Sequence, residues 1–386
     1  MPVATWTLTD PHAGIDRPDW SIGPADVPGS PEGWSVTKRR LVGGKSDGVS
    51  VVEVDSGCMQ FTFIPTRGMG IHRCVAGGRV LGWQSPVQGP VHPRFVPVAE
   101  PSGLGWLDGF DELLVRCGLV SNGPPEFDEQ GRVRYPLHGR IANLPAHRVT
   151  VSMGEDHRIS IIGEVDETRF LFHNLRLTST ISIGLGETAI HVHDVVENRS
   201  ARPADFQMLY HVNVGAPLLN AGAELVAPVK TIVPRDGRAA EGVAGWKTYA
   251  GPVPGFEEQV YFCGLAGDDN RDTRVLVKNA ESTEGFGLAF NTGQLPCFTQ
   301  WKNTAASADG YVTGLEPATN FPNPRSFEER QGRVVPLAPG DTHRMDLQLH
   351  WCRDAQSVAS AERAVDRLGA GIETQAFDAP QPGWCA

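Results

Sequence analysis

Two runs, RVTVSM at Arg148–Met153 and RISIIGEV at Arg158–Val165, stand on either side of the break GEDH at Gly154–His157. Val149, Val151 and Met153 alternate with polar neighbours, and Ile159, Ile161 and Val165 repeat the pattern. A period of two places successive side chains on opposite faces of a half-buried strand. Two such runs joined by a short polar break predict a β-hairpin. The pattern continues outward in both directions. Ser50–Val54, Met59–Ile64, Leu175–Ile183, Ala189–Val196, Val260–Phe262, Arg274–Val277, Gly287–Phe290 and Arg344–Trp351 all read as strands. Many short strands between turn signals predict an all-β protein with large antiparallel sheets, a sandwich or a barrel.

Helical spacing is rare. Phe110, Leu113, Leu114 and Cys117 fall at i, i+3, i+4 and i+7, which predicts a short helix over Gly109–Arg116. Val358, Ala361, Val365 and Leu368 share one face ahead of Gly369 and predict a second, C-terminal helix. Residues 1–35, with prolines at 2, 11, 18, 24, 28 and 31, read as an irregular N-terminal arm. Residues 36–386 hold no repeat and no long linker, so the expectation is one domain, of a size all-β chains often reach.

Composition narrows the function classes. Among 386 residues, 34 Lys and Arg stand against 45 Asp and Glu, for a net charge of -11. That balance, with no basic run, argues against a nucleic-acid partner. The N-terminus lacks a basic leader followed by an apolar run, and no stretch approaches the roughly 20 apolar residues of a membrane helix. Seven scattered cysteines without a CxxC pair suit reduced thiols in a cytoplasmic protein. Cys117 reads as core packing, since Arg116 is its only basic neighbour in sequence. No phosphate loop or dinucleotide fingerprint appears.

The chemistry gathers in four segments. In Gln300–Arg330 (QWKNTAASADGYVTGLEPATNFPNPRSFEER), Glu316 follows a strand-like run, and Pro317 is expected to end the strand there. The run QWKN at Gln300–Asn303 offers planar polar groups and an aromatic face. In Phe206–Leu219, His211 sits among apolar residues with Asn213 two positions on, hence on the same strand face. In Tyr135–Pro145, His138 precedes Gly139 and Arg140. In Phe63–Ile71, Arg67 precedes two glycines in FIPTRGMGI.

Taken together, the strand His followed by Asn, the earlier LHG turn and the late LEP…NFPN loop ahead of PLAPG resemble the aldose 1-epimerase (galactose mutarotase) superfamily. They point to a divergent branch of it, similar over roughly Val51–Trp351. The resemblance implies a galactose mutarotase-like β-supersandwich. It implies Glu316 as catalytic base, His211 as acid and His138 as a sugar ligand. The family's substrate-binding Asp has no match; Glu257 or Glu258, in FEEQVYF, stands nearest. The family's usual NGRxxNRI stretch is replaced by WLDGFDELLVRCGLVSNGPP.

Mutarotation needs a base on the anomeric hydroxyl and an acid on the ring oxygen, which a carboxylate and an imidazole can supply. Arg67 or Arg140 is expected beside Glu316, keeping it ionised. Arg67, Arg140, Asn213, Glu258, Gln300 and Lys302 join His138 as expected sugar contacts. The expected partner is a small sugar with no cofactor. The alternatives are another sugar lyase, isomerase or epimerase acting on a keto-sugar, with His138, His211 and Glu316 holding a divalent metal, and a non-catalytic carbohydrate-binding protein.

Overall fold

A computed structural model describes residues 2–386. The hairpin read first is present: Arg148–Gly154 and Arg158–Arg169 pair antiparallel, with Val151 opposite Ile161. It lies within a ten-stranded sheet that runs from Glu224–Val226 through Thr342–Cys352 and Ala189–Asn198 to Pro2–Asp10 and Ile15–Asp16. A second, larger sheet is centred on Val312–Ala318, Ala204–Gly215 and Leu114–Leu119. Apart from the short Val229–Pro234 and Gln375–Ala376 pair, the sheet pairings are antiparallel. Residues of both sheets, among them Val151, Ile161, Leu177 and Val192 from the first and Phe61, Leu114, Tyr210 and Leu315 from the second, share one hydrophobic cluster.

The two sheets differ in what covers their outer faces. Along Arg158–Asp166 buried residues alternate with half-buried ones, because one face meets the core and the other meets solvent. Phe206–Gly215 and Val312–Ala318 are buried at every position. The second face of this sheet is covered by loops carrying Trp106, Phe110 and Ala142. That doubly covered region misled the helix reading. Gly109–Arg116 is not a helix; a 3-10 turn at Gly105–Gly109 leads into the strand Leu114–Leu119. A strand apolar on both faces loses its period of two, and a chance spacing then imitates a helix. The C-terminal helix spans Ala355–Gly369 and buries Val358 and Val365.

The first 35 residues are not an irregular arm. Pro2–Asp10 pairs with Arg148–Gly154 at the edge of the first sheet, and Trp20–Ile22 pairs with Ser35–Arg40 at the edge of the second. The prolines punctuate rather than prevent pairing: Pro2 opens a strand, Pro11 follows one and Pro24 begins a 3-10 turn. Leu8 is fully buried, and the Trp6 and Trp20 rings lie 6.0 Å apart.

A buried polar network ties the sheets together. Arg116 and Tyr210 point inward from the larger sheet, Ser179 and Asp194 from the smaller. The Arg116 guanidinium reaches Asp194 at 2.5 and 3.1 Å, Ser179 Oγ at 2.8 Å and the Met69 carbonyl at 2.7 Å. The Tyr210 hydroxyl donates to the same aspartate at 2.9 Å. Removing one partner leaves the other charge buried and uncompensated. Arg116→Met is therefore expected to lower unfolding stability by about 3–5 kcal/mol in denaturant titration. Arg39→Met, which breaks the exposed pair with Glu53, is expected to change it by less than about 1 kcal/mol.

Candidate functional site

Strand register assembles the site. Between Ala204–Gly215 and Val312–Ala318, Leu209 stands opposite Ala318 and Val212 opposite Leu315. His211 therefore faces Glu316, and both side chains project from the same side of the sheet. The ladder lapses between Tyr210–His211 and Glu316–Pro317, where Pro317 has no N–H to give. Pro317 nevertheless lies inside the strand, paired with Phe298, so the expectation that the strand stops at Glu316 is corrected. A proline is accommodated here because its strand-mate can leave one rung empty.

His211 Nε2 and Glu316 Oε1 are 3.3 Å apart, with both side chains nearly inaccessible. Gly314 lies beside them; a Cβ there would stand 2.6 Å from Glu316 Oε1 and 2.9 Å from His211 Cε1, so a side chain would push into the pair. Asn213 settles the tautomer. Its Nδ2 donates to the Glu112 carbonyl at 2.9 Å, which leaves Oδ1 as acceptor, 2.7 Å from His211 Nδ1. Nδ1 thus carries the hydrogen and Nε2 turns its lone pair toward Glu316. Burial, reinforced by the charge of Glu258, holds the Glu316 carboxyl well above the usual carboxylate range. Burial and the neighbouring His138 hold His211 well below the ordinary imidazole value. Both shifts favour the uncharged forms, in which a carboxyl hydrogen on Glu316 would face the Nε2 lone pair.

Aromatic rings enclose this pair. Phe110, Trp301 and His138 have centroids 5.0, 5.3 and 5.7 Å from the His211 ring. Trp106 stacks edge-on to His138 at 4.6 Å. His138 has a left-handed backbone with φ 55°, and its Nδ1 lies 2.8 Å from the Asn122 carbonyl. Burial pushes its pKa down to about 4. The buried polar atoms without a partner among the described residues include Trp106 Nε1, Gln207 Nε2 and Thr299 Oγ1. Thr299 stands opposite Glu316 in the ladder, and Gln207 follows the His211 side of its strand, so both lie on the site face. At the rim, exposed Glu258 accepts from Trp301 Nε1 at 2.6 Å and from Arg235 at 3.0 Å.

Several expected contacts lie elsewhere. Gln300 and Lys302 flank Trp301 and therefore point through the other face of the strand. Gln300 donates to Tyr249 Oη, and Lys302 reaches the Trp246 and Thr248 carbonyls at 3.0 and 2.7 Å. Burial lowers the Lys302 pKa to about 8. Arg67 is not beside Glu316. It is buried against Glu112 at 2.6 Å and Asn143 at 2.8 Å, and it also donates to the Gly109 carbonyl at 2.8 Å. Since the Glu112 carbonyl holds Asn213, Arg67 positions the site from below rather than touching a ligand. Arg140 is exposed and lines a separate cavity. Cys117 packs among Val115, Leu209 and Ala318, and burial raises its thiol pKa, as for an inert core cysteine. Among the described residues, no group of three or more His, Cys, Asp or Glu side chains is arranged to hold a metal ion, and His138, His211 and Glu316 form no such set.

Sequence reasoning missed Trp106, Phe110, Gln207 and Thr299. The WLDGF segment offered an aromatic pair, but nothing in it marked which side of the sheet it would cover.

Comparison with known proteins agrees with this architecture. Residues 46–350 match the family DUF4432, a domain of unknown function. A crystallised protein of Klebsiella pneumoniae, provisionally named an aldose 1-epimerase, is 34% identical over 98% of each chain, with a TM-score of 0.94. A galactose mutarotase-like protein of Clostridium acetobutylicum is 12% identical over 82% of this chain and 98% of its own, with a TM-score of 0.56. A galactose 1-epimerase of Lactobacillus acidophilus is 10% identical over 82% of this chain and 98% of its own, with a TM-score of 0.53. The last two show the fold alone. No curated protein matches the chain. No described helix is long and apolar enough to cross a membrane. The chain belongs to the DUF4432 family, a divergent branch built on the galactose mutarotase-like β-sandwich.

Proposed function

We propose that the protein is a carbohydrate-active isomerase of the aldose 1-epimerase type, interconverting the anomers of a neutral aldose. The observation that carries this reading is the His211–Glu316 pair, set 3.3 Å apart at the floor of an aromatic recess. The name given to the 34% identical Klebsiella protein supports it.

Transfer of the shared proton from Glu316 to His211 creates a carboxylate base and an imidazolium acid. The carboxylate takes the anomeric hydroxyl proton while the imidazolium protonates the ring oxygen. The C1–ring oxygen bond breaks, the electron pair of the anomeric O–H becomes the carbonyl, and the pair returns to its neutral form. Rotation about C1–C2 presents the other face of the carbonyl. The steps then run backward: the ring hydroxyl gives its proton to His211 as it attacks C1, and Glu316 protonates the carbonyl oxygen. Each catalytic group contributes on the order of 10²–10⁴-fold. The chain needs neither cofactor nor outside proton source for this cycle.

The surroundings suit a neutral sugar. Trp301, Phe110 and Trp106 offer apolar faces to C–H surfaces, and the unpartnered Trp106 Nε1, Gln207 Nε2 and Thr299 Oγ1 offer hydrogen bonds to hydroxyls. At the rim, Arg235 is already held by Glu258 at 3.0 Å and Asp236 at 2.9 Å. His138 closes the recess on one side as a sugar contact, and Glu258 stands where a substrate hydroxyl would be met.

Glu316→Gln keeps a donor facing His211 Nε2 but removes the base. Exchange spectroscopy over a panel of aldoses is expected to show loss of accelerated anomer exchange, at least about 10²-fold, with sugar affinity by calorimetry largely kept. Unchanged exchange in this variant would remove Glu316 from the mechanism, and sugar binding without exchange in the wild type would favour a binding protein. Asn213→Ala frees the imidazole to adopt the wrong tautomer, so kcat is expected to fall about 10-fold or more while KM holds. The pH dependence follows from the directions of the two shifts. With the Glu316 pKa raised and that of His211 lowered, the two shifts widen the pH range over which the pair holds one proton. Exchange is expected to be flat around pH 7 and to decline on the alkaline side as Glu316 loses the shared proton. An acid-side decline near the ordinary imidazole pKa would contradict this.

A further inference from the structure

A second cavity, of about 880 Å³, lies on the other side of the His138–Arg140 turn. Arg134, Arg140, Arg169 and Arg202 line it, together with His173. A net charge of -11 makes such a gathering of guanidinium groups unusual for this chain. The carboxylates in the lining form no ion pair with them among the described residues. Glu167 is buried and accepts the Leu119 backbone N–H at 2.6 Å; burial raises its carboxyl pKa, against the lowering effect of that hydrogen bond and of the Arg140 charge. Asp205 is held by Arg325. Arg134 and Arg169 lie over the rings of Tyr135 and Phe172 at 5.1 and 4.5 Å, and Arg202 donates to the Leu171 carbonyl at 2.9 Å. None of the four is within 4.0 Å of a carboxylate among the described residues. Arg140 and Arg169 both press their charge on His173, whose pKa is lowered first by burial and then by these two neighbours.

We propose that this cavity is a binding site for a small polyanion, a phosphorylated or polycarboxylate molecule, separate from the His211–Glu316 recess. Like charges gathered around one concavity repel unless an anion compensates them. Guanidinium forks match the planar or tetrahedral oxygens of carboxylates and phosphates. Tyr135, Phe172 and Val334 give the cavity apolar walls, and its volume falls in the range of roughly 300–1,000 Å³ typical of small-molecule sites. The turn sends His138 toward His211 and Arg140 into the cavity.

Calorimetric titration with inorganic pyrophosphate and with citrate tests the proposal and separates its phosphate form from its carboxylate form. Saturable binding of at least one is expected, weakening with added salt. It is expected to weaken about tenfold or more in Arg140→Gln/Arg169→Gln, and also in Arg134→Gln, with thermal midpoints unchanged because these side chains carry no ion pair. Glu316→Gln is expected to bind the anion as the wild type does, so the result stands apart from the isomerase reading. Absence of binding by both probes, or equal binding by the arginine variants, would overturn the proposal.

Discussion

One register governs this protein's chemistry: His211 stands opposite Glu316 because Leu209 faces Ala318 and Val212 faces Leu315. A slip of one residue in either strand would turn one of the two groups into the intersheet core. The strand Ala204–Gly215 cannot slip, because its alternate residues are committed on the other side. Tyr210 bonds Asp194, which in turn holds Arg116, while Val212 sits in the hydrophobic cluster. The polar network between the sheets and the pair in the recess are thus two faces of one strand. The first pins the register, and the second uses it.

The same arrangement sets the protonation of the pair. In water at neutral pH a carboxylate is ionised and an imidazole is partly protonated. Here both lie at the floor of an aromatic recess, where separated charges lose hydration. Burial shifts each toward its neutral form, and the shared proton is the result. Such a pair can give and take a proton within one bond-breaking step, as ring opening and closing require. Asn213, held through the Glu112 carbonyl and indirectly by Arg67, keeps the imidazole facing the right way.

Much of this was legible in the amino-acid order, and for identifiable reasons. The solvent-facing sheet announced itself through period-two alternation at Arg148–Val165, since one face is wet. His211, Asn213 and Glu316 stood out because polar groups in apolar runs are rare. Strand alternation should also have told Trp301 from Gln300 and Lys302: residues adjacent on a strand face opposite ways, so the three cannot serve one site. The double covering of the larger sheet was not legible. With both faces buried, Leu114–Leu119 lost its period, and Arg67 read as a sugar contact rather than as a side chain reaching Glu112, Asn143 and the Gly109 carbonyl. The N-terminal strands were hidden by prolines whose positions between pairings only three-dimensional structure reveals.

The shared proton is open to direct observation. Nitrogen-15 chemical shifts of the His211 ring, followed across the pH range over which the fold is stable, report which nitrogen carries hydrogen and whether the ring titrates. The expected result is a neutral ring protonated at Nδ1, with no midpoint near the ordinary imidazole pKa of about 6.5. A ring that titrates there, or that carries its hydrogen on Nε2, would contradict a proton held between His211 and Glu316.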